Sequence, residues 1–586
     1  MIIVSNKWRL KIYLTGRFVS LDSHTQSLIP LNQQKSHLLM VLHPVLKNVL
    51  SLFQEIIVIP PHQLCKFFTK HLKSMKPSTE LHSLIKSLTK SEKRFFKLNS
   101  SLQSGDKNYL KIFDFVEKQK KYNEEELKEN FKVETFIKHL PSEKNHLYRL
   151  ILKSLRAYYS DQSVSSQLKQ EIKNIDILNR KALYKECSKF VKRAKQLAEE
   201  YEKFYYWFEL INWEKRLLEE AYESGIFTIN LDDLINEEQG VVDKLRNLAE
   251  YHVLYSRINY IFRSGGFTRN EQEREVVNEI EDYHLIKGKN TALSTRATTI
   301  CYYIKGVCSA SKRDYESALI FFRKAKSVME RKSKIRDDLQ QRYIATLNFL
   351  MLCYIDTYDF KNAESIVSEI KALKGKKAFS ALDSKVRLFT ATLIGELSLN
   401  NRKGQFQNSI DLVPDVETGL DLYEEKINKE KQLLFTYNMA YAYFGIGDYR
   451  TALRYINEVL NDNEKQLRQD IYSFARIFNL IIHFELQNMD FLEYDLKSAA
   501  RYLNKYDKDY QVEKLFITHI KLLSREEEID AQKAIFVKFN EKLKELLKID
   551  RENVILEYFD ILAWTNSKMD EMSFAEAIQK RITAKK

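Results

Sequence analysis

Four polar and basic side chains share one face of a stretch that has the period of a helix. Asn145, Arg149, Lys153 and Arg156 follow one another at about one helical turn within residues 142–159. Arginine and asparagine can form paired hydrogen bonds with base edges, and lysine contacts phosphates. A shorter helical stretch precedes this one, so the two could form a helix-turn-helix that contacts nucleic acid. No glycine marks a tight corner, and the same stripe is typical of the exposed face of any lysine-rich helix.

The positive charge of the chain is concentrated around this stripe. Residues 1–160 contain 27 Lys and Arg against 13 Asp and Glu, which accounts for the whole net charge of +14. Residues 161–586 are balanced, with 67 of each kind. An attraction to nucleic acid or to acidic surfaces is therefore expected only from the front of the chain.

The sequence contains none of the common motifs for catalysis, nucleotide binding or zinc binding. It lacks the G-x-x-x-x-G-K-[ST] and G-x-G-x-x-G phosphate loops, the H-E-x-x-H motif and the G-x-S-x-G nucleophile turn. Eight of the twelve histidines precede residue 160, and the other four are isolated from one another. We therefore expect no catalytic residues, no metal and no cofactor, and we interpret the protein as a non-enzyme.

Long helices are the elements that must position any binding surface. Residues 142–586 contain one proline, Pro414, and such a stretch is expected to be helical. Within it an acidic or amide residue precedes an aromatic one at intervals of 42–46 residues, and a small residue usually stands three positions after the aromatic. The pairs are Asp314-Tyr315, Asp359-Phe360, Gln405-Phe406, Asp448-Tyr449 and Asp490-Phe491, followed by Ala318, Ala363, Ser409, Ala452 and, as the exception, Tyr494.

Residues 299–329 carry this pattern most completely, and residues 432–460 nearly as well. Gly306 precedes the first pair, and Phe322 and Ala325 follow Ala318. The pattern resembles the tetratricopeptide repeat (TPR), a helix-turn-helix unit of about 34 residues, although the period here is longer. The resemblance implies an all-α fold, an α-solenoid of TPR-like helix hairpins with a small N-terminal helical domain. Adding Tyr184, Phe227 and Phe267 to the series predicts about eight hairpins.

The same resemblance implies a function in binding. TPR proteins act as scaffolds and adaptors, and some bacterial ones are peptide-sensing regulators with an N-terminal helix-turn-helix. We therefore expect a protein or peptide partner, held on the surface formed by the first helices of the hairpins. The positions that the resemblance assigns to that surface are Tyr303, Asn348, Tyr437, Tyr441 and Phe444. The alternative is that these aromatic side chains pack against the next repeat.

Four regions are predicted along the chain. They are a poorly patterned extension (1–74), a basic helical domain that could be helix-turn-helix-like (75–160), the TPR-like superhelical array (165–510) and C-terminal capping helices (511–586), the last around Leu515–Leu523, Ala531–Leu547 and Glu552–Met569. Residues 1–74 show no clear helical or strand period and contain four of the seven prolines. One interpretation is that the native protein starts at Met75.

The remaining sequence features concern the compartment. The apolar run Leu38–Ile59 is interrupted by charged and polar residues, so we expect no membrane span. The five cysteines have neither a disulfide nor a zinc spacing, which favours reduced, buried thiols and a cytoplasmic location. Nothing in the sequence indicates an oligomeric state.

Overall fold

The protein divides into two compact units, Met1–Tyr158 and Tyr159–Lys586. The computed structural model describes the backbone of residues 3–6, 9–14 and 17–20, and then residues 79–585 apart from 102–107, 161, 224–229, 266, 270, 463–467 and 507–509. Met75, Cys65, Phe227 and the run 38–59, on which some of the expectations above depend, lie outside the described residues.

Three short strands form an antiparallel sheet near the start of unit 1. They are β1 (Ile3–Asn6), β2 (Arg9–Leu14) and β3 (Arg17–Ser20), joined in sequence order. Ile3 lies opposite Ile12, and Lys11 lies opposite Ser20. The expectation that residues 1–74 have no strand pattern was therefore wrong for residues 3–20. The polar residues between short apolar segments are typical of a two-turn meander.

The rest of unit 1 is helical. Its elements are α1 (Glu80–Ser87), α2 (Lys90–Ser101), α3 (Asn108–Lys118), α4 (Glu124–Asn130), a 3-10 turn (Thr135–His139) and α5 (Leu140–Tyr158). At the start of α2 the Thr89 N–H donates to the Glu92 carboxylate (2.5 Å), and the Glu92 N–H donates to the Thr89 hydroxyl (3.3 Å). This reciprocal capping box satisfies two N–H groups that the helix itself leaves free. Phe113 of α3 and Ile151 of α5 are fully buried in the core of the unit.

Unit 2 is all-α over its described residues. Its first helices are α6 (Val164–Arg180), α7 (Tyr184–Glu200), α8 (Phe204–Glu223), α9 (Leu231–Gly265), α10 (Glu271–Asp282) and α11 (His284–Lys287). The central helices are α12 (Thr295–Ser311), α13 (Tyr315–Arg331), α14 (Ser333–Asp338), α15 (Gln340–Asp356), α16 (Phe360–Leu373), α17 (Leu382–Arg402), α18 (Phe406–Ile410), α19 (Val413–Tyr423), α20 (Lys429–Gly445), α21 (Tyr449–Leu460), α22 (Gln469–Glu485) and α23 (Met489–Lys505). The last helices are α24 (Gln511–Leu523), α25 (Ile529–Leu546), α26 (Asp550–Asn553), α27 (Ile561–Met569) and α28 (Phe574–Lys585), and single 3-10 turns occur at Lys377–Phe379, Glu424–Lys426 and Val554–Glu557.

Five consecutive helix pairs in unit 2 share one turn geometry. We call the helix before each turn the A helix and the helix after it the B helix, so the pairs are α12–α13, α15–α16, α17–α18, α20–α21 and α22–α23. Two residues before each B helix the backbone has a positive φ, at Arg313, Tyr358, Gly404, Gly447 and Gln487. The next N–H donates back to a carbonyl five residues earlier, as from Asp314 to Ser309 (2.9 Å). This is the Schellman arrangement, which ends one helix and starts the next.

The small residues of the pattern bring the helices of a pair close together. Ala318 and Ala452 have no exposed surface, and a Cβ added to Gly306 of α12 would lie 2.7 Å from the Phe322 ring of α13. Asp314 caps its B helix through its side chain, which accepts from the Ser317 N–H at 3.1 Å. Each pair also packs against the next, and the arrangement is compatible with a helical repeat.

The structure corrects the register of the fifth pair. Its B helix starts at Met489, whereas the sequence pattern placed the start at Phe491. Phe491 and Tyr494 are 67% and 68% exposed, and Leu492 is fully buried at the position that Ala318 takes in the first pair. The exception to the small-residue pattern in the fifth pair is therefore Leu492, and Tyr494 does not stand at that position.

Two other regions differ from the expected hairpins. α9 runs for 35 residues without a turn, and Phe267 does not start a helix. In the C-terminal region α24 and α25 lie where capping helices were expected, but the third expected helix, Glu552–Met569, is interrupted. Residues 554–557 form a 3-10 turn, and α27 begins only at Ile561. This interruption matters for the site described next.

Candidate binding site

A cavity of about 360 Å³ lies among the A helices of unit 2. Side chains from α9, α12, α15, α17, α20 and α22 line it, and residues Leu556–Phe559 form another part of its wall. We call Val554–Asp560 the inserted segment. It forms hydrogen bonds with residues that lie 88 to 244 positions earlier in the chain, in the A helices and in the turn after α12, and its side chains fill part of the space between those helices.

Glu557 of the inserted segment lies in a buried network of charges. Its carboxylate accepts from Arg313 Nη2 (2.8 Å), from the Tyr315 hydroxyl (2.9 Å) and from Arg402 Nη2 (2.9 Å). Arg402 also donates to the Asp356 carboxylate (2.6 Å) and to the Leu556 carbonyl (2.8 Å). Burial alone would raise the pKa of Glu557, but the two guanidinium groups lower it below its usual value. Burial and the nearby Glu557 charge raise the pKa of Asp356 to about 8.

Tyr558 is held by a second charged group and by aromatic stacking. Its hydroxyl donates to Asp470, whose carboxylate also accepts from Arg468 Nη2 (2.6 Å). Although burial works in the opposite direction, Arg468 lowers the pKa of Asp470 below its usual value. The Tyr558 ring stacks on Phe474 with 4.1 Å between centroids, and its carbonyl accepts from the Tyr437 hydroxyl at 3.3 Å. Both the side chain and the main chain of this residue are therefore recognised.

The end of the inserted segment packs into an aromatic cluster and starts the next helix. The Phe559 ring lies 5.1 Å from Phe478, 5.5 Å from Phe444 and 5.6 Å from Tyr441, measured between centroids. The Asp560 N–H donates to the Tyr441 hydroxyl (3.3 Å), and the Asp560 carboxylate accepts from the Ala563 N–H as the cap of α27. The segment is thus fixed by hydrogen bonds, charge pairs and aromatic contacts along its length.

Four of the five residues that the sequence assigned to a partner surface line the cavity. These are Tyr303, Asn348, Tyr437 and Tyr441. Phe444 does not line it, because its ring is buried against Phe478, Phe559 and Phe574. The tyrosines are also mostly buried, with Tyr437 5% and Tyr441 9% exposed, so they pack within the unit as well as facing the cavity. Asn348 is half-buried and forms no side-chain hydrogen bond within the described part of the chain.

Amide side chains form a further part of the wall. Asn259 of α9 donates to the Tyr255 carbonyl (2.7 Å), and Asn438 of α20 donates to the Leu434 carbonyl (2.8 Å). Both use the amide N–H for their own helix. Within the described part of the chain no group donates to the amide oxygen of Asn259, and that of Asn438 accepts only long contacts of 3.4 Å from Ser398 and Asn401. Together with Asn348, they offer acceptors and donors that an unpaired peptide backbone could use.

The sequence did not predict the inserted segment or the charged residues that hold it. Glu557, Arg402 and Asp470 were not singled out, because nothing in their local sequence distinguishes them from ordinary helix-surface charges. The one local signal is Asp560, which precedes the apolar run at Ile561 and is a good helix cap. It indicates a helix start at 561, and so a break just before it.

In unit 1 the predicted basic stripe lies on the outside of α5. Asn145, Arg149, Lys153 and Arg156 are all exposed, while Leu147 and Ile151 on the other face are buried. The turn between α4 and α5 is not a tight corner, since Phe131–Glu134 and the 3-10 turn separate the two helices. The stripe is thus accessible to a ligand, and more residues separate α4 from α5 than in the short turn that was expected.

The fold and the cavity define a predominantly helical protein whose unit 2 has repeat-like packing and an internal groove. No family profile matches the sequence, and no curated protein is detectably similar to it. Among the described residues, no helix is long and apolar enough to cross a membrane, and no three His, Cys, Asp or Glu side chains are grouped so that they could hold a metal ion.

Proposed function

We propose that the protein is a non-enzymatic, TPR-like scaffold or adaptor that binds an extended peptide, or an extended segment of a protein, in the cavity between the A helices. The observation that carries the proposal is the inserted segment itself. It consists of a 3-10 turn and three irregular residues, and it lies against A helices whose side chains hold its main-chain carbonyls, through Arg402 at Leu556 and Tyr437 at Tyr558. The same helices offer an open cavity beside it, and the main chain of a bound peptide would meet the same kind of wall.

The composition of the open part of the cavity supports a peptide as the ligand. Apolar side chains such as Ile344, Leu352 and Ile394 alternate with amides such as Asn348. Amides can donate to and accept from a peptide bond at once, and rigid tyrosines provide a wide contact area at low entropic cost. The Schellman turns, the capping aspartates and the alanine–aromatic contacts support the TPR resemblance from which the surface was first predicted.

Two variants test the cavity directly. Ala345 lines it and is half-buried, so Ala345→Trp should fill it without removing a hydrogen bond. Ile320 is 49% exposed on the B helix α13, and Ile320→Trp is the matched control that adds the same ring elsewhere. The partner is first identified by affinity purification from the native cell, with nuclease treatment and mass spectrometry. We expect Ala345→Trp to weaken its binding by more than about tenfold and Ile320→Trp to leave it unchanged.

Asn348→Ala is the milder companion variant. One hydrogen bond to a peptide backbone corresponds to a loss of about 2- to 10-fold in affinity. The Tyr437 and Tyr441 side chains are less suitable for this test, because both also hold the inserted segment and their removal would disturb the fold. Full partner affinity in both Ala345→Trp and Asn348→Ala would exclude the cavity as the binding site.

A second candidate function is a regulator whose basic N-terminal helical unit contacts nucleic acid. The observation that favours it is that all four stripe residues are exposed on one face of α5. Binding of the full chain to a labelled DNA duplex should fall steeply between 50 and 200 mM salt, since each phosphate contact releases a condensed counterion. An Arg149→Gln, Lys153→Gln, Arg156→Gln variant should bind more weakly and with a smaller salt slope. Absent binding, or binding that neither salt nor the variant changes, would identify the stripe as an ordinary solvated face.

A further inference from the structure

The longest described helix, α9, has apolar side chains on two opposite faces. One face packs against α8 and α12, and its apolar residues are almost fully buried, namely Leu234, Val241, Tyr251, Leu254 and Ile258. The opposite face has four large apolar side chains that are 37% to 75% exposed, namely Ile235, Val242, Val253 and Tyr260. We call these four residues the outer stripe. A helix that is apolar on both faces is normally covered on both, so the outer stripe indicates a contact surface.

The outer stripe follows the helical period closely. Its members are separated by seven, eleven and seven residues, which correspond to about two, three and two turns. All four side chains therefore lie within about 20° of one another around the helix axis. From Ile235 to Tyr260 the stripe is about 38 Å long, at 1.5 Å per residue. A partner that covers it must be long and straight, as another α-helix is.

The spacing of the outer stripe reads the same in both directions along the chain. The midpoint between Ile235 and Tyr260 coincides with the midpoint between Val242 and Val253, and lies between positions 247 and 248. If a second copy of α9 runs antiparallel across the stripe, Ile235 faces Tyr260 and Val242 faces Val253, and each contact occurs twice. An isologous contact about a two-fold axis requires this self-complementarity, whereas contact with a different helix does not.

The charges beside the midpoint also complement each other in this arrangement. Arg246 and Glu250 lie along one edge of the outer stripe, on either side of the midpoint, and within one copy the Arg246 Nε lies 3.2 Å from the Glu250 carboxylate. An antiparallel second copy places its own Glu250 within about one residue of Arg246 along the helix axis, so that four charges alternate in sign. Ala249, also beside the midpoint and exposed, is small enough for the two helices to approach closely.

We propose that the outer stripe is the contact surface of a homodimer, in which α9 of two copies pairs antiparallel about a two-fold axis between positions 247 and 248. This inference is independent of the peptide-binding function proposed above. A stripe about 38 Å long and about 10 Å wide buries roughly 400 Å² of each copy. That area is at the low end for a specific interface, so the dimer is expected to be weak, with a Kd in the micromolar range.

Sedimentation velocity of the full-length protein at about 1 to 200 µM measures this association. The average mass of wild type should rise towards that of a dimer over this range. Val253→Glu places a carboxylate opposite Val242 of the second copy and should raise the Kd by more than about tenfold. Because Val253 is exposed, its melting temperature should equal that of wild type. Ile320→Glu makes the same change on the exposed face of α13 and is the matched control, for which we expect the Kd of wild type.

Cysteine cross-linking tests the antiparallel register. Two copies of Ala249→Cys lie about three residues apart along the paired helices and should form a disulfide under mild oxidation. Two copies of Val242→Cys lie about eleven residues, or roughly 16 Å, apart and should not. Wild type provides the background, and its cysteines at 187, 301, 308 and 353 are buried.

Three outcomes would overturn the proposal. A wild type that remains monomeric at 200 µM would show that the outer stripe does not pair with a second copy. A Kd of Val253→Glu equal to that of wild type would place the dimer contact elsewhere. Equal cross-linking of Ala249→Cys and Val242→Cys would show a parallel pair, which the two-fold arrangement forbids.

Discussion

Replacement of Glu557 by glutamine tests how firmly the inserted segment is held. The carboxylate is 7% exposed and accepts hydrogen bonds from two arginines and a tyrosine at 2.8–2.9 Å. Glutamine keeps the shape but removes the negative charge, and its amide group would face one of the guanidinium groups as a second donor. Breaking a buried ion pair by removing one partner costs about 3–5 kcal/mol, and we expect Glu557→Gln to lose that much free energy of unfolding.

Urea unfolding followed by circular dichroism measures this loss, and hydrogen exchange locates it. Amides of residues 554–560 should exchange faster in Glu557→Gln, because local opening no longer breaks the charge network. Glu545→Gln is the matched control, since Glu545 pairs with Lys548 at 2.8 Å while both are about 70% exposed, and its loss should be below about 0.5 kcal/mol. A loss below about 1 kcal/mol for Glu557→Gln, with unchanged exchange at 554–560, would refute the view that this network fixes the segment.

Three further changes probe the network and the hairpins. Asp356→Asn should stabilise the protein more at pH 9 than at pH 5. Burial and a nearby carboxylate raise the pKa of Asp356 from 3.8 in the unfolded chain to about 8 in the folded protein. The folded state of wild type therefore holds one more proton than the unfolded state between these two values, and wild type loses stability as the pH rises through this interval. Equal pH slopes in urea melts of the two proteins would contradict this. Gln487→Gly should raise the free energy of unfolding by up to about 1 kcal/mol, and Gly447→Ala should lower it by a similar amount, because both residues have a positive φ (58° and 85°) that favours glycine. No atom lies near the new Cβ at 447, so a steric clash does not contribute to the second change. Shifts of the same sign for the two variants would be inconsistent with backbone strain. Ala318→Leu and Ala452→Leu should each cost about 1–3 kcal/mol by overfilling a closed contact, and an unchanged melting temperature for both would mean that the packing register is wrong.

The hairpins could be predicted where the turn is specified by local chemistry. Asp314 and Asp448 cap their B helices with their own side chains, and the residues three positions after the helix starts are buried as the pattern required. The fifth pair was misplaced by two residues because Asp490-Phe491 imitates the capping pair. Its true turn contains Gln487, a residue type that gives no sign of the positive φ it adopts. Arg313 and Tyr358 also adopt a positive φ, but there the next residue is an aspartate that caps the B helix and marks the turn, whereas in the fifth pair Asn488 stands at that position and its side chain makes no cap.

The candidate site could be predicted only in part, for a related reason. Residues that face the cavity from the A helices follow from the repeat period, and Tyr303 and Asn348 were found that way. The inserted segment has neither proline nor glycine, so it contains no helix-breaking residue within the helix expected over Glu552–Met569. It departs from helical geometry because Arg402 and Asp470, distant in sequence, provide partners that a helix there would not reach. Tertiary contacts of this range leave no periodic signal in a single sequence.

The long sequence separation between Glu557 and its partners has a consequence for the order in which the protein is made. In a simple helical array each repeat packs on the one before it, so the fold can grow as the chain leaves the ribosome. Here Arg313 is synthesised 244 residues before Glu557. At 5–20 residues per second this is a delay of roughly 10–50 s. Arg313 lacks Glu557 throughout that time, and Arg402 lacks it for the last 155 residues, so the wall of the cavity is completed only when nearly all of residues 1–586 have been translated.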